Sequence, residues 1–238
     1  MTPPPSISQA TLDQLLVPST ATLTSVLKGH GLGNTFMHNV TPLQPDMKMA
    51  GRAYTLRYIP AREDLNDIPM DNLTDKQRIG IEEMEVGDVL VIDARGETRA
   101  GTMGSILAER MHQKGVAGVV TDGAYRDSPA IAASGMPAFA RAMNAHTNKT
   151  VHYPSEIQVP VGCGEVAVFP GDIIVGDGEG VVVVPAHLAA QVGDAASEME
   201  DKEDFILEKI RSGASIVGTY PPDEKTLAEF EAWKKARS

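Results

Sequence analysis

Arg126 and Asp127 stand side by side directly after a short apolar run, and their chemistry is complementary. A guanidinium holds a carboxylate through two parallel hydrogen bonds. An aspartate is a hard oxygen ligand suited to Mg²⁺ or Mn²⁺. Upstream, Gly101 and Gly104 bracket what reads as a tight turn, where backbone can approach a ligand because no side chain intervenes. A helix follows, and its first turn offers backbone N–H groups without internal partners, a site for carboxylate or phosphate. An anion clamp beside a metal ligand is what a 2-oxo acid requires. The same two residues also read as an ordinary solvated loop pair. The pattern alone leaves both readings open, although strand-end loops are where α/β folds place their sites.

The elements that must position these residues are legible in order. From Ile106 to Lys114 the apolar residues Ile106, Leu107 and Met111 fall at helical spacing, with Glu109, Arg110, Gln113 and Lys114 on other faces. Gly115 ends that helix as a C-cap glycine. Val116 to Val120 reads as a buried strand, and Thr121-Asp122-Gly123 as the turn that delivers Arg126-Asp127.

Elsewhere, Ser8 to Val17 reads as a helix stopped by Pro18, and Ser19 or Thr20 can cap a second through Leu27, with Gly29 as its end. The glycines of Gly29-His30-Gly31-Leu32-Gly33 follow a helix rather than a strand, so a dinucleotide loop is rejected. His30 and His38 read as loop or core residues. Strands are expected at Met49 to Ile59, Pro137 to Arg141, Ile157 to Pro160, Glu165 to Phe169 and Val181 to Val184, and within Gly87 to Asp93 and Gly171 to Asp177, each a turn followed by a buried strand. Gly87-Asp88 and Gly171-Asp172 open two of them in the same way. Pro60 to Asp75 reads as a long acidic loop in which Arg62, Glu63 and Asp64 are candidates for the pocket rim, against a solvated alternative. Lys76 to Met84 reads as a short helix. Asn144 to Pro154 reads as a polar loop in which His146 and His152 are each candidates to touch substrate or a neighbouring subunit, with no spacing that makes them a metal pair. A long helix is expected from His187 to Gly213. A last one follows Asp223, with Leu227, Phe230 and Trp233 on one face.

Length and composition bound the class. A chain of 238 residues is long enough for a sizeable core. Its net charge of −11, with no basic block, argues against a nucleic-acid surface. One cysteine, Cys163, leaves no internal disulfide framework and fits a reducing, cytoplasmic setting; it reads as a small buried hydrophobe. The opening MTPPPSIS lacks the pattern of a secretory signal, and no apolar run approaches a membrane span.

The run GVAGVVTDGAYRD, preceded by GTMGSILAERM, resembles the RraA-like family. That family includes the divalent-metal pyruvate aldolases of 4-hydroxy-4-methyl-2-oxoglutarate and 4-carboxy-4-hydroxy-2-oxoadipate. The similarity extends through TATLTSVLKGHG, GRAYTLRYIPARED, GDVLVID and PGDIIVGDGEGVVVVP to KEDFILEKIRSG. Glycine-punctuated strands alternating with helices imply α/β layers around one core. The resemblance implies a swivelling β/β/α-type domain with N- and C-terminal helices. Residues 1–218 are expected to form the catalytic domain, with 1–7 a loose tail, and 219–238 a helical extension.

By the same resemblance, backbone N–H groups at Gly104, Ile106 and Leu107 receive the pyruvate carboxylate, with Ser105 beside them. Arg126 binds the same substrate and positions a water. Asp127 ligates Mg²⁺ or Mn²⁺, and Glu203 reaches the waters of a neighbouring subunit's metal, in a trimer or a hexamer of two trimers. The implied reaction is carbon–carbon cleavage of a 2-oxo acid through a pyruvate enolate. It covers retro-aldol cleavage of 4-hydroxy-2-oxo acids, and decarboxylation of oxaloacetate as a side activity. Two positions depart from the aldolase pattern, Ser105 and Ala130, where acidic residues are usual. Both thin the groups that orient metal-bound waters. The alternative is a non-catalytic RraA-type regulator that binds a nuclease or other protein. Regulators of ribonuclease E in this family lack the metal-binding Asp, so Asp127 favours an enzyme. A Schiff-base aldolase needs a desolvated lysine. Lys28, Lys48, Lys76, Lys114, Lys149 and Lys202 all sit in polar or helix-surface contexts.

Overall fold

The structure, a computed structural model, describes residues 7–66 and 71–237; the tail expected at 1–7 lies outside them except for Ile7. The elements run α1 (Gln9–Leu15), α2 (Thr20–Gly29), β1 (Thr41–Pro42), β2 (Met49–Pro60), α3 (Glu63–Asn66), α4 (Lys76–Glu83), β3 (Asp88–Asp93), β4 (Gly101–Met103), α5 (Ser105–Gln113) and β5 (Gly118–Tyr125). They continue with α6 (Ser128–Ala133), β6 (Ala138–Met143), β7 (His152–Ile157), β8 (Val161–Cys163), β9 (Val166–Val168), β10 (Ile173–Asp177), β11 (Gly180–Val184), α7 (Ala189–Arg211) and α8 (Glu224–Arg237).

The main sheet has the order β1-β6-β5-β3-β2-β10-β11, with β4 paired to the end of β5 and β7 to β2. Its centre is parallel: β2 with β3, β3 with β5, β5 with β6. Such strands are buried on both faces and read as near-continuous apolar runs, and all eight residues of β5 are buried. The sheet nearly closes. The segment before β1 bridges to β11 at Phe36 and Val182, and β1 then pairs with β6 at the opposite edge. The β8–β9 hairpin packs over the sheet through Val161, Cys163, Val166 and Val168. Helices α4, α5 and α6 supply Ile81, Ala108, Met111 and Ile131 to a second cluster. Helices α1, α2 and α7 cover β10 and β11. Phe205 of α7 meets Phe230 and Trp233 of α8 in an aromatic group.

The expected α/β architecture is present, and Ser8, Ser19 and Asp75 cap their helices by accepting from backbone N–H groups. The paired Gly-Asp turns share one device: Asp88 accepts from Glu85 N, and Asp172 from Phe169 N, each three residues back.

Four local expectations are corrected. Thr121-Asp122-Gly123 does not turn the chain but continues β5. A Cβ on Gly123 would lie 2.6 Å from Ala94 Cβ, so this glycine serves close packing. Gly101 to Met103 is a short buried strand rather than a turn, because it pairs with the end of β5. The strand placed at Ile157 to Pro160 is β7, ending at Ile157, with β8 beginning at Val161. His152 is not in a loop: it opens β7, is buried, and stacks on Tyr58. Within the acidic segment Arg62 pairs with Asp64 at the surface, away from the cleft described below.

Candidate active site

Where β5 ends, the backbone N–H of Arg126 donates to Met103 O at 2.9 Å, tying the strand end to β4. Asp127 then adopts the left-handed conformation (φ 59°, ψ 30°), a region aspartate enters more readily than most residues. Pro129 follows in the first turn of α6. The reversal brings the Asp127 carboxylate to the N-terminus of α5: Oδ2 lies 3.5 Å from Ser105 N and 3.4 Å from Ser105 Oγ. Both contacts are long for hydrogen bonds. The two flanking glycines permit this approach. A Cβ on Gly104 would sit 2.8 Å from Asp127 Oδ2, and one on Gly101 only 2.6 Å from Arg126 N.

A cleft of about 240 Å³ opens here. Gly101, Met103, Gly104, Ser105, Ile106 and Leu107 form one wall, Arg126 and Asp127 another, and Gln77, Arg78, Thr147 and Asn148 the rest. The structure therefore gathers Gly104, Ser105, Ile106, Leu107, Arg126 and Asp127 into one place. The α5 N-cap, Gly104, makes no side-chain capping bond, so the N–H groups of Ile106 and Leu107 in the first turn remain available to an anion, while that of Ser105 faces Asp127. The side chains of Arg126 and Asp127 are half-exposed and 3.7 Å apart at Nε and Oδ1. Ile106, expected on the apolar face of α5, is 84% exposed at the cleft mouth; Ala108 and Met111 carry the buried face. Glu203 lies exposed on α7 and does not line the cleft of its own chain.

Four lining residues escaped the sequence. Gln77 is buried; its Nε2 donates to Thr102 O at 2.9 Å, and its Oε1 accepts from Asn148 Nδ2 at 3.3 Å. The Tyr58 hydroxyl donates to the same Thr102 oxygen. These bonds fix the floor. Arg78 follows Gln77 on α4, and Thr147 precedes Asn148. Nothing in the spacing of Gln77-Arg78 or of Asn144 to Pro154 marks them, because the tertiary fold alone brings α4 and that loop to β4.

Among the described residues no group of three His, Cys, Asp or Glu side chains forms a ready metal cage. The donor set suits a cation that keeps most of its waters. Asp127 offers one half-exposed carboxylate, with weakly placed donors on Ser105 and the Arg126 guanidinium 3.7 Å from Oδ1. Mg²⁺ is bound in this manner, through one or two carboxylates plus substrate and water.

Asp122, five residues earlier on β5, is committed elsewhere. Its Oδ1 accepts from Ala94 N at 2.7 Å and its Oδ2 from Gly96 N at 2.8 Å, pinning the turn after β3. Burial pushes its carboxyl pKa up, and those two bonds oppose the shift. Burial likewise lowers the pKa of His152 below 6.5. Cys163 is a free, buried thiol whose pKa burial raises, which leaves it unreactive. Among the described residues no helix is long and apolar enough to cross a membrane.

Comparison with known proteins agrees with this fold. The chain is 32% identical to Streptomyces coelicolor RraAS2, described as an unusual member of the RNase ES inhibitor RraA family; the match covers 85% of this chain and 98% of that one, with a TM-score of 0.77. An uncharacterized protein from Pseudomonas syringae matches with a TM-score of 0.79 at 27% identity, over 91% of this chain and 99% of that one. A candidate 4-hydroxy-4-methyl-2-oxoglutarate aldolase from Halalkalibacterium halodurans is 41% identical over 103 residues, 43% of this chain and 49% of its own length. The chain spans between 32% and 61% of the length of the first curated relatives it matches. The sequence profile of the RraA-like family (Aldolase/RraA) matches residues 20–183, and the chain belongs to that family.

Proposed function

We propose that the chain is a divalent-metal-dependent lyase that cleaves a carbon–carbon bond of a 2-oxo acid by way of a pyruvate enolate. The observation that carries this reading is the convergence of the uncapped α5 N-terminus, Arg126 and Asp127 on one cleft. Asp127 would hold Mg²⁺ or Mn²⁺, with Glu203 of a neighbouring subunit reaching its waters in a trimer or hexamer. When bound, the cation supplies Lewis-acid stabilisation of the negative charge that develops on the 2-oxo oxygen. The N–H groups of Gly104, Ile106 and Leu107, with Ser105 beside them, and the Arg126 guanidinium hold the substrate's carboxylate. A water polarised by Arg126 takes the proton from the 4-hydroxyl. The C3–C4 bond breaks, its electron pair passes into the enolate, and the carbonyl product departs. Water then returns a proton to C3 to give pyruvate. Oxaloacetate loses CO₂ through the same enolate.

The test is pyruvate release from 4-hydroxy-4-methyl-2-oxoglutarate and from oxaloacetate with Mg²⁺, Mn²⁺ or EDTA. Release that requires a metal supports the reading; none with either metal rejects it. The second reading, a non-catalytic RraA-type regulator of a nuclease or other protein, is favoured by Ser105 and Ala130, which leave the cleft without the family's extra acids. It predicts no turnover together with capture of a specific partner.

A further inference from the structure

Arg78, Ile106 and Leu107 line not only the cleft but also a second, larger groove of about 790 Å³ that runs between α4 and α5. At about 240 Å³ the cleft alone falls below the roughly 300–1,000 Å³ of small-molecule sites, whereas the groove lies within that range. The groove offers apolar surface. Leu73, just ahead of α4, is 85% exposed, Ile106 is exposed, and Ile79 and Leu107 are half-buried. Its charged groups answer one another. Arg110 holds Glu82 by two bonds, Nε to Oε1 at 2.9 Å and Nη2 to Oε2 at 2.7 Å. Lys114 donates to Glu82 O and lies 3.9 Å from its Oε2. Arg78 Nη1 lies 3.1 Å from Asp75 Oδ1, and Glu83 accepts from the Tyr54 hydroxyl at 2.8 Å. These three cations face three carboxylates, Asp75, Glu82 and Glu83, so the groove has no surplus positive charge to offer an anionic group. The first turn of α5 joins the two cavities. The backbone N–H groups of Ile106 and Leu107 are open to an anion in the cleft, and the same two residues line the groove. A ligand held there by its carboxylate starts at the wall of the groove.

We propose that this groove is a substrate subsite for an uncharged, apolar substituent, so that the site prefers 2-oxo acids with a hydrocarbon tail to those ending in a second carboxylate. This rests on the lyase reading for the placement of the 2-oxo acid end. The occupant is the substrate's own tail, because the groove is continuous with the cleft at Ile106 and Leu107 and its polar groups are already paired. Burial of the tail against Leu73, Ile79 and Ile106 removes apolar surface from water on both sides. For a 4-hydroxy-2-oxo acid the groove receives the substituent on C4, and the leaving carbonyl product is an apolar aldehyde or ketone.

The test measures binding of pyruvate, 2-oxopentanoate, 2-oxooctanoate and 2-oxoglutarate by calorimetry in Mg²⁺, to wild type, Leu73→Glu and Leu73→Ala. Leu73 lines the groove and not the cleft, and its exposure makes both variants compatible with folding, which melting curves verify. In wild type 2-oxooctanoate should bind roughly ten- to a hundred-fold tighter than pyruvate, since each methylene removed from water gains up to about fourfold. The same principle puts 2-oxopentanoate between them, with 2-oxoglutarate below 2-oxopentanoate. Leu73→Glu should cancel most of the gain for 2-oxooctanoate and leave pyruvate unchanged, with Leu73→Ala intermediate. Pyruvate binding with a flat series, a gain that survives Leu73→Glu, or 2-oxoglutarate binding tighter than 2-oxopentanoate would overturn the subsite. A second copy of the chain covering the groove would give the flat series, with a dimer or larger species in solution. No binding of any of the four would overturn the lyase reading and the subsite together. Because none of the four is an aldol substrate, an intact series without turnover of 4-hydroxy-2-oxo acids would reject the reaction and retain the subsite.

Discussion

One strand carries two aspartates with opposite fates. Asp122 lies in the middle of β5, buried, with both carboxylate oxygens accepting short bonds from Ala94 N and Gly96 N. Asp127 lies just past its end, half-exposed, with long contacts to Ser105 and to the Arg126 guanidinium. The residue type is the same and the separation is five positions. The first carboxylate is spent holding the turn after β3; the second, in the proposed reading, would keep lone pairs for a cation. A carboxylate's availability, rather than its presence, distinguishes a structural acid from a reactive one.

The comparison breaks if the two aspartates respond alike to mutation. Asp127→Ala should abolish metal-dependent pyruvate release, by at least about 100-fold, with a melting temperature close to wild type. Gly101→Ala comes next. Its Cβ would meet the Arg126 backbone at 2.6 Å, and displacing a substrate-positioning group by about 1 Å costs up to roughly 100-fold in rate. Single-turnover kinetics on the folded variant would check this. Asp122→Ala should do the reverse of Asp127→Ala. Two buried N–H donors lose their acceptor, costing about 2–4 kcal/mol in a denaturant titration, while activity per folded molecule stays within a few-fold.

The smallest effect concerns pH. Burial lowers the His152 pKa, so the folded state holds the neutral ring. Its stability contribution is complete above the ordinary value of 6.5 and is lost as pH falls through 6.5 toward the lowered folded value, because the unfolded chain takes up the proton first. Melting temperature should fall over that window by a few degrees, since about 1 kcal/mol moves it roughly 2–4 °C for a chain of this size. His152→Phe, which retains the stack on Tyr58, should flatten the slope.

These two regions also show what the sequence could and could not reveal. Helices α1, α2, α5 and α7 and strands β2, β3, β10 and β11 are legible because caps and apolar periods are local. The Asp122-Gly123 pair misleads because such a dipeptide marks turns. Here Asp122 meets its donors on β3's following loop, and Gly123 is small because Ala94 and Thr102 press against it. Gly101 and Gly104 stand out in the sequence, but their reason is close approach to Arg126 and Asp127 rather than a turn. Ile106 fits a helical stripe, yet it faces the cleft mouth because the burial direction of α5 is set by Ala108 and Met111. Gln77, Arg78 and Asn148 carry no local signature at all. Only the packing of α4 and the loop before β7 against β4 brings them to the site.

The most direct test of the central claim is Mn²⁺ binding in the presence of pyruvate, followed by electron paramagnetic resonance, for wild type, Asp127→Ala and Asp122→Asn. The account predicts binding by wild type, loss of at least about 100-fold in affinity on removing Asp127, and retention in folded Asp122→Asn. Equal affinity in wild type and Asp127→Ala, or no binding by wild type, would contradict it.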